Sequence, residues 1–429
     1  MANNITTQLL MKSEPIAPNY KGVSSNRQRI NPVSNPISGT TLQSNLEYQF
    51  TIPQGCKLQG SHVWFISEQS FSAAGGEVAK LATSTLAPNV CSTFFQQGSL
   101  DINDIRVASS NQFAQDDTML KRMLNSSVKN QTVYSSSVFG GSDTERTTYA
   151  DLIFTTRQLA TQYFPLIQPD MVFGENMRLH LTLTPHPNIN TPASCPCFVT
   201  NTNNTVNTDA VNFYKFYLVV DFVRLDEKQD DEVLIPAINV QSILHTIVNA
   251  DENIQVPVKP ETYKIVAGVQ TSGTTLATGG PNLTRFCSGT AATAITNMSA
   301  QSALLQQLQV KYAGQSIPNQ PYDLGLNKYH EAFTDFIGGT DGVFDPSGSE
   351  SVAQWIDPVA AASVGQGRMF CFNVVKSSKD QDSNAELTVK FTSTPATSRL
   401  YIAGINKLVF KVKYNAFRQI ESVESVSFM

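Results

Sequence analysis

The sequence predicts a mainly β chain built from one antiparallel unit used twice, on three observations. The first is an echo. Asn45-Leu-Glu-Tyr-Gln-Phe50-Thr-Ile52-Pro53 returns as Asn249-Ala-Asp-Glu-Asn-Ile254-Gln-Val256-Pro257, offset by 204 residues. Each copy runs from an Asn through acidic residues to an apolar-polar-apolar-Pro ending. The second is another echo at about 210 residues, between Met177–Pro185 and Ala385–Pro395. The third is strict apolar-polar alternation, the period of a strand with one buried face. It occurs at Leu46/Tyr48/Phe50/Ile52, Leu179/Leu181/Leu183, Tyr263/Ile265/Ala267/Val269, Leu308/Val310/Tyr312, Leu387/Val389/Phe391 and Leu408/Phe410/Val412/Tyr414. Phe213–Leu225 is longer and more apolar, as expected of a strand covered on both faces. Regular alternation of strand and helix is missing, so the sheets are expected to be antiparallel.

Taken in order, residues 1–40 carry Pro15, Pro18, Pro32 and Pro36 without periodicity and read as a flexible arm. Asp226–Glu232 is a charged connector directly after a strand. It divides the chain into a first unit over 41–228 and a second over 229–415, followed by a tail over 416–429. Helices are few. Tyr149, Leu152, Ile153, Thr156, Leu159, Ala160, Tyr163 and Phe164 share a helical face that Pro165 ends. Met119, Leu120, Met123 and Leu124 predict a shorter helix capped by Asp116 or Asp117. Leu326, Tyr329, His330, Phe333, Phe336 and Ile337 predict a third, ended by Gly338-Gly339. The last two occupy equivalent places in the two units. Long polar loops over 185–212, 270–303 and 338–366 read as surface projections.

Composition narrows the class. At 429 residues the chain suits two units of roughly 200 residues each. Charged residues make up only 15%, against ~25% in ordinary soluble domains, and Ser, Thr, Asn and Gln fill the gap. Such a surface suits a protein that buries much of itself against its own copies. A net charge of -5 excludes a polycation for nucleic acid. The amino terminus lacks the basic and apolar regions of a signal peptide, and no apolar run is long enough to span a bilayer. Six cysteines are too sparse for a disulfide scaffold and read as reduced thiols of a protein made inside cells.

No catalytic, cofactor-binding or metal site emerges. The five histidines, His62, His180, His186, His245 and His330, form no His-x-x-His or His-Glu-x-x-His pattern. Cys195-Pro-Cys197 with His186 upstream is the one metal-like cluster, and it cannot complete a tetrahedral site alone. There is no nucleophile elbow, Walker loop or dinucleotide fingerprint. Asp116-Asp117 and Asp230-Asp231 are sequence neighbours that diverge, unlike a glycosidase pair. Trp64, inside Val63–Ile66, reads as core. The arm's Lys12, Lys21, Arg27 and Arg29 face only Glu14 and suit either phosphate contacts inside an assembly or a solvated terminus.

Lys311-Tyr-Ala-Gly314-Gln-Ser-Ile317-Pro318, Tyr322 and Tyr329-His-Glu-Ala-Phe333 resemble the second half of double jelly-roll major capsid proteins. Phe370-Cys-Phe372, Glu386–Thr392 and Leu408–Tyr414 do so too. The resemblance is to the virophage and polinton-like branch of the adenovirus–tectivirus lineage and spans roughly residues 40–420. It implies two tandem eight-stranded antiparallel jelly rolls with a few short helices in the loops. It further implies a homotrimer forming a pseudo-hexagonal capsomer of an icosahedral shell around a DNA genome, assembled inside the host cell. The partners it implies are neighbouring capsomers, penton and minor capsid proteins, the packaged genome or an internal membrane, and a host receptor at the outer loops. Two other classes stay open: a single-roll shell with a projection domain, and a carbohydrate-binding β-sandwich built on exposed aromatic rings.

Overall fold

The structure, a computed structural model, describes residues 25–72, 84–87, 90–124, 158–161, 166–168, 170–200, 209–224, 231–256, 258–259, 261–271, 283, 286, 305–312, 314–324, 330–339, 355, 368–374, 384–395 and 398–426. The first half contains β1 (Ser25–Ile30), β2 (Ile37–Ser38), β3 (Thr41–Leu42), β4 (Leu46–Thr51), β5 (Cys56–Gln59), β6 (Val63–Ser72), β7 (Ser84–Leu86), β8 (Phe95–Ile102) and β9 (Ile105–Ser110). It continues with α1 (Phe113–Leu124), β10 (Gln158–Thr161), β11 (Val172–Phe173), β12 (Arg178–Pro185), β13 (Phe198–Thr200) and β14 (Ala210–Arg224). The second half contains β15 (Glu232–Thr246), β16 (Asp251–Val256), β17 (Thr262–Thr271), β18 (Leu305–Tyr312), β19 (Gln315–Asp323) and α2 (His330–Gly339). It ends with β20 (Met369–Asn373), β21 (Ala385–Phe391), β22 (Ser398–Tyr414) and β23 (Ile420–Val426).

Each half is a pair of antiparallel sheets whose apolar sides meet in a core. In the first half β10-β6-β14-β1 is opposed by β4-β12-β8-β9. In the second, β20-β17-β22-β15 is opposed by β16-β21-β18-β19. The two orders match strand for strand, so eight strands of one half have eight counterparts in the other. This is a double jelly roll. The echoes of the sequence are the strands that pair with each other: Leu179 lies opposite Phe50 on β4, and Leu387 lies opposite Ile254 on β16. Alternation then puts Leu46, Tyr48, Leu179, Leu181 and Leu183 inside one core, and Leu387, Val389 and Phe391 inside the other. Each such side chain contributes about 1.5–3 kcal/mol by leaving water.

Four segments depart from the sequence reading. The expected arm enters the fold at β1, which runs antiparallel to β14 with Arg27 opposite Asp221 and Ile30 opposite Leu218. Its proline spacing hid a strand of six residues. The expected tail contains β23, paired with β22 from Val409 to Tyr414. There it takes the place beside β22 that β5 takes beside β14. The helix expected over 149–164 is a strand where it is described, since Gln158–Thr161 pairs with β6, and its remaining residues lie outside the described ones. The loop over 185–212 contains β13, paired with β7. The other two long loops lie almost wholly outside the described residues.

Removing residues 1–35 strips β1 from β14 and uncovers a long apolar edge. We expect a melting midpoint lower by several degrees and a gain in aggregation, measured by scanning calorimetry and light scattering. An unchanged midpoint would show that β1 is dispensable.

Candidate functional site: the junction between the halves and the surfaces beside it

Helix α1 begins at Phe113, three residues before Asp116, so Asp116 and Asp117 lie in its first turn rather than at its cap. Every described side chain of α1 is buried. Met119, Leu120 and Met123 belong to the core of the second half, although α1 is a first-half element. The Tyr401 hydroxyl of β22 donates to Asp116 Oδ1 at 2.7 Å, and Ser110 Oγ donates to Oδ2 at 2.5 Å. Asp117 accepts from Ser92 Oγ. Burial pushes the Asp116 carboxyl up to about 6 against the opposing pull of these hydroxyl donors.

Two further contacts fasten the halves. The Gln168 side chain acts as an added strand residue: its Nε2 donates to Ile238 O and its Oε1 accepts Ile238 N–H, both at 2.8 Å. Gly60 makes room for it, because a Cβ there would lie 1.9 Å from Gln168 O. Arg418, left-handed at φ 60, bonds Glu175 at 2.6 Å and Asp231 at 3.0 Å, and the Tyr414 hydroxyl donates to Glu175 O. Among the exposed large apolar side chains is Phe417, 85% exposed on the turn beside it. Sequence reasoning missed this junction. The one signal was an acidic pair inside an apolar helical stretch.

Of the four candidate nucleic-acid contacts, Lys12 and Lys21 lie outside the described residues. Arg27 and Arg29 sit on β1. Arg27 holds Asp221 through two bonds of 2.7 and 2.8 Å and lies 5.7 Å from the Trp64 ring centroid. This bond keeps the Asp221 carboxyl below its usual range. Arg29 lies 3.8 Å over Tyr217. Trp64, expected in the core, is half-buried on the outer face of β6, with His62 stacked on it. Trp355 is the buried one, packed against Phe333, Phe336 and Phe370 and donating to Met369 O.

The Cys195-Pro-Cys197 motif is buried beneath β7 and β13 with Cys91. Burial, then the Cys195 hydrogen bond, pushes the Cys197 thiol well up, so it stays neutral. Burial and then Arg399 hold His186 down at about 4, and its Nδ1 accepts the Asn188 N–H at 3.2 Å. Neutral thiols and a hydrogen-bonded imidazole describe packing. Among the described residues no three His, Cys, Asp or Glu side chains are placed to hold a metal ion. His180 lies on the polar side of β12 near Thr182, His245 pairs with Glu252, and the exposed His330 opens α2. No helix among the described residues is long and apolar enough to cross a membrane.

No protein-family model matches the sequence, and no curated protein does. Solved structures do match. VP54 of PBCV-1, fitted into a cryo-EM reconstruction of the virophage Sputnik, aligns with a TM-score of 0.53 at 12% identity, covering 96% of this chain and 99% of that one. A chain of the Sputnik virophage structure aligns at 0.55 and 12% identity, covering 96% and 92%. The mavirus major capsid protein aligns at 0.50 and 11% identity, covering 96% and 94%. At these identities the chain shares their fold, over nearly its whole length.

Because Asp116 has a folded pKa near 6 and an unfolded value near 3.8, the native state binds the extra proton. Its contribution is therefore fullest below pH 4 and is lost as pH rises through 6, by about 3 kcal/mol. Asp116→Asn removes that dependence. We expect the variant to gain stability over the parent between pH 4 and 7 in denaturant titrations; a pH-independent difference would place the titration elsewhere. In thiol labelling of the native protein, Cys56 should react ahead of Cys91, Cys195, Cys197 and Cys371, the four buried thiols among the described residues. Early labelling of Cys195 or Cys197 would contradict the closed packing beneath β13.

Proposed function

We propose that this chain is a viral major capsid protein, assembling as a homotrimer into pseudo-hexagonal capsomers of an icosahedral shell. The observation that carries the reading is the matched strand order of the two halves, together with alignment over 96% of the chain to the mavirus major capsid protein. Three chains with two rolls each give a six-sided block. The surface chemistry supports it. A chain with 15% charged residues forms large contacts without desolvating many ions. Its role is then structural, with no catalytic step assigned to any residue. The proposed location is the virion shell, and the proposed partners are neighbouring capsomers and the proteins at the shell's vertices. The units proposed are 41–228 and 229–415, with the segments 1–40 and 416–429 contributing β1 and β23 to them.

Light scattering on the purified chain, with negative-stain images of the same peak, tests the proposal. A particle near three times 46.9 kDa with hexagonal outlines is expected. A monomer would sink it.

A further inference from the structure

An arginine stands at or near each end of β22, and only one of the two has counter-ions. Just past the far end, Arg418 meets two carboxylates, Glu175 of the first half and Asp231 of the connector. At the near end stands Arg399, the second residue of β22, with Thr246 of β15 and Gln270 of β17 opposite it. A strand sends alternate residues to one face, so Arg399 shares with Tyr401 the face turned to the first half. Among the described residues no carboxylate pairs with Arg399. The two acids of the facing helix α1 have hydroxyl partners of their own: Asp116 has Ser110 and Tyr401, and Asp117 has Ser92.

The Arg399 guanidinium lies partly inside the protein. Its Nε and Nη2 are closed to solvent and hydrogen-bond to nothing, while the residue as a whole is partly exposed, so Nη1 is the nitrogen that reaches the surface. Burial pushes the group down to about 10, as it does for a cation held without an anion. Gln270 has an Oε1 without a donor, but a neutral acceptor cannot balance a charge. The first-half side chain beside Arg399 is His186, just past β12, whose imidazole is kept neutral by burial and then by the Arg399 charge. Its Nδ1 accepts the Asn188 N–H, so the ring proton sits on Nε2. His186 is partly exposed, and that Nε2–H has no acceptor among the described residues. One positive charge and two donors, one from each half, thus lie close together at the seam with nothing negative between them.

We infer that the seam beside Arg399 and His186 binds a small phosphate-type oxyanion from solution, which does at this end of the junction what Glu175 and Asp231 do at the other. Burying part of a guanidinium without an anion costs free energy, and a position that needed only packing would be served better by an apolar side chain of similar length. A phosphate suits donors that come from two separate side chains, because its oxygens point several ways and it carries more than one negative charge near neutral pH. A carboxylate offers two coplanar oxygens and a single charge. Once bound, the ion fastens the start of β22 to the segment after β12, and so the second half to the first. The site is internal to one chain and does not depend on how copies assemble.

The test is titration of the full-length chain with inorganic phosphate in Tris chloride at constant ionic strength, read by calorimetric binding and by the melting midpoint. The parent should bind phosphate, and its midpoint should rise by ~2 °C or more at saturation. Arg399→Met should weaken binding by ~10-fold or more. In chloride alone the same variant should melt at or above the parent, since the unpaired charge has gone. His186→Phe keeps Arg399, removes the second donor and should weaken binding by ~3-fold or more. Near-ultraviolet circular dichroism identical to the parent's establishes that each variant is folded, and His186→Phe carries the test if Arg399→Met does not fold. No binding by the parent, or equal binding by the parent and the folded variants, would overturn the site. A parent that melts well above Arg399→Met in chloride alone would show that Arg399 already has a partner within the chain, and would overturn it too. Acetate binding as tightly as phosphate would make the ligand a carboxylate and overturn the phosphate assignment.

Discussion

A sheet that is apolar on both faces needs cover on both, and the second half cannot supply it alone. Along β22, Leu400, Tyr401, Ile402, Ala403 and Ile405 are all buried, although a strand points successive side chains to opposite faces. One set faces the opposed sheet of its own roll. The other set, Tyr401 with it, faces α1 of the first half. This constraint joins the halves more firmly than the connector between them. It also explains a buried carboxylate at the junction. Burying a hydroxyl such as that of Tyr401 costs free energy unless it finds a partner, and Asp116 provides one while the helix amino terminus beside it favours a negative charge.

The opposite end of the junction obeys the same logic with different groups. Gln168 satisfies both backbone groups of Ile238 on the edge strand β15, where an unpaired edge would otherwise invite another strand. Arg418 is buried, and a buried guanidinium is tolerated only when paired and hydrogen-bonded. Glu175 from the first half and Asp231 from the connector meet it. The surface ion pairs, such as Arg106 with Asp101 and Lys413 with Glu424, are partly exposed and contribute little by comparison.

What was legible in the sequence follows from range. Period-two alternation is a property of one strand, so the core strands and their inward residues could be read directly. Leu179 and Leu387 gave more, because a repeated spacing also fixes a repeated register. Gln158–Thr161 failed because Leu159 and Ala160 fit a helical stripe as well as a strand, and only pairing with Ile66 and Ser67 decides between them. Trp64 failed for a related reason. Val63–Ile66 is apolar throughout, yet Val63 and Phe65 point to the core while Trp64 points out towards Arg27. Arg27 itself was unreadable as a strand residue, since its partner Asp221 lies 194 positions away.

Duplication sets up two equivalent units, and their neighbours then make them differ. Where β4 and β12 pair, and where β16 and β21 pair, the surroundings are the same and the two halves keep the same register. Where the surroundings differ, the halves diverge. Beside β14 the added strand comes from within the first half as β5, and beside β22 it comes from the chain's end as β23. The helix after the fourth strand of each opposed sheet is apolar on its outward side when it faces β22, and polar there when it faces water. A unit that must be internal on one side and presented on the other cannot remain symmetric. Divergence therefore marks the surfaces at which each unit meets something other than its own two sheets, whereas the shared register marks the cores.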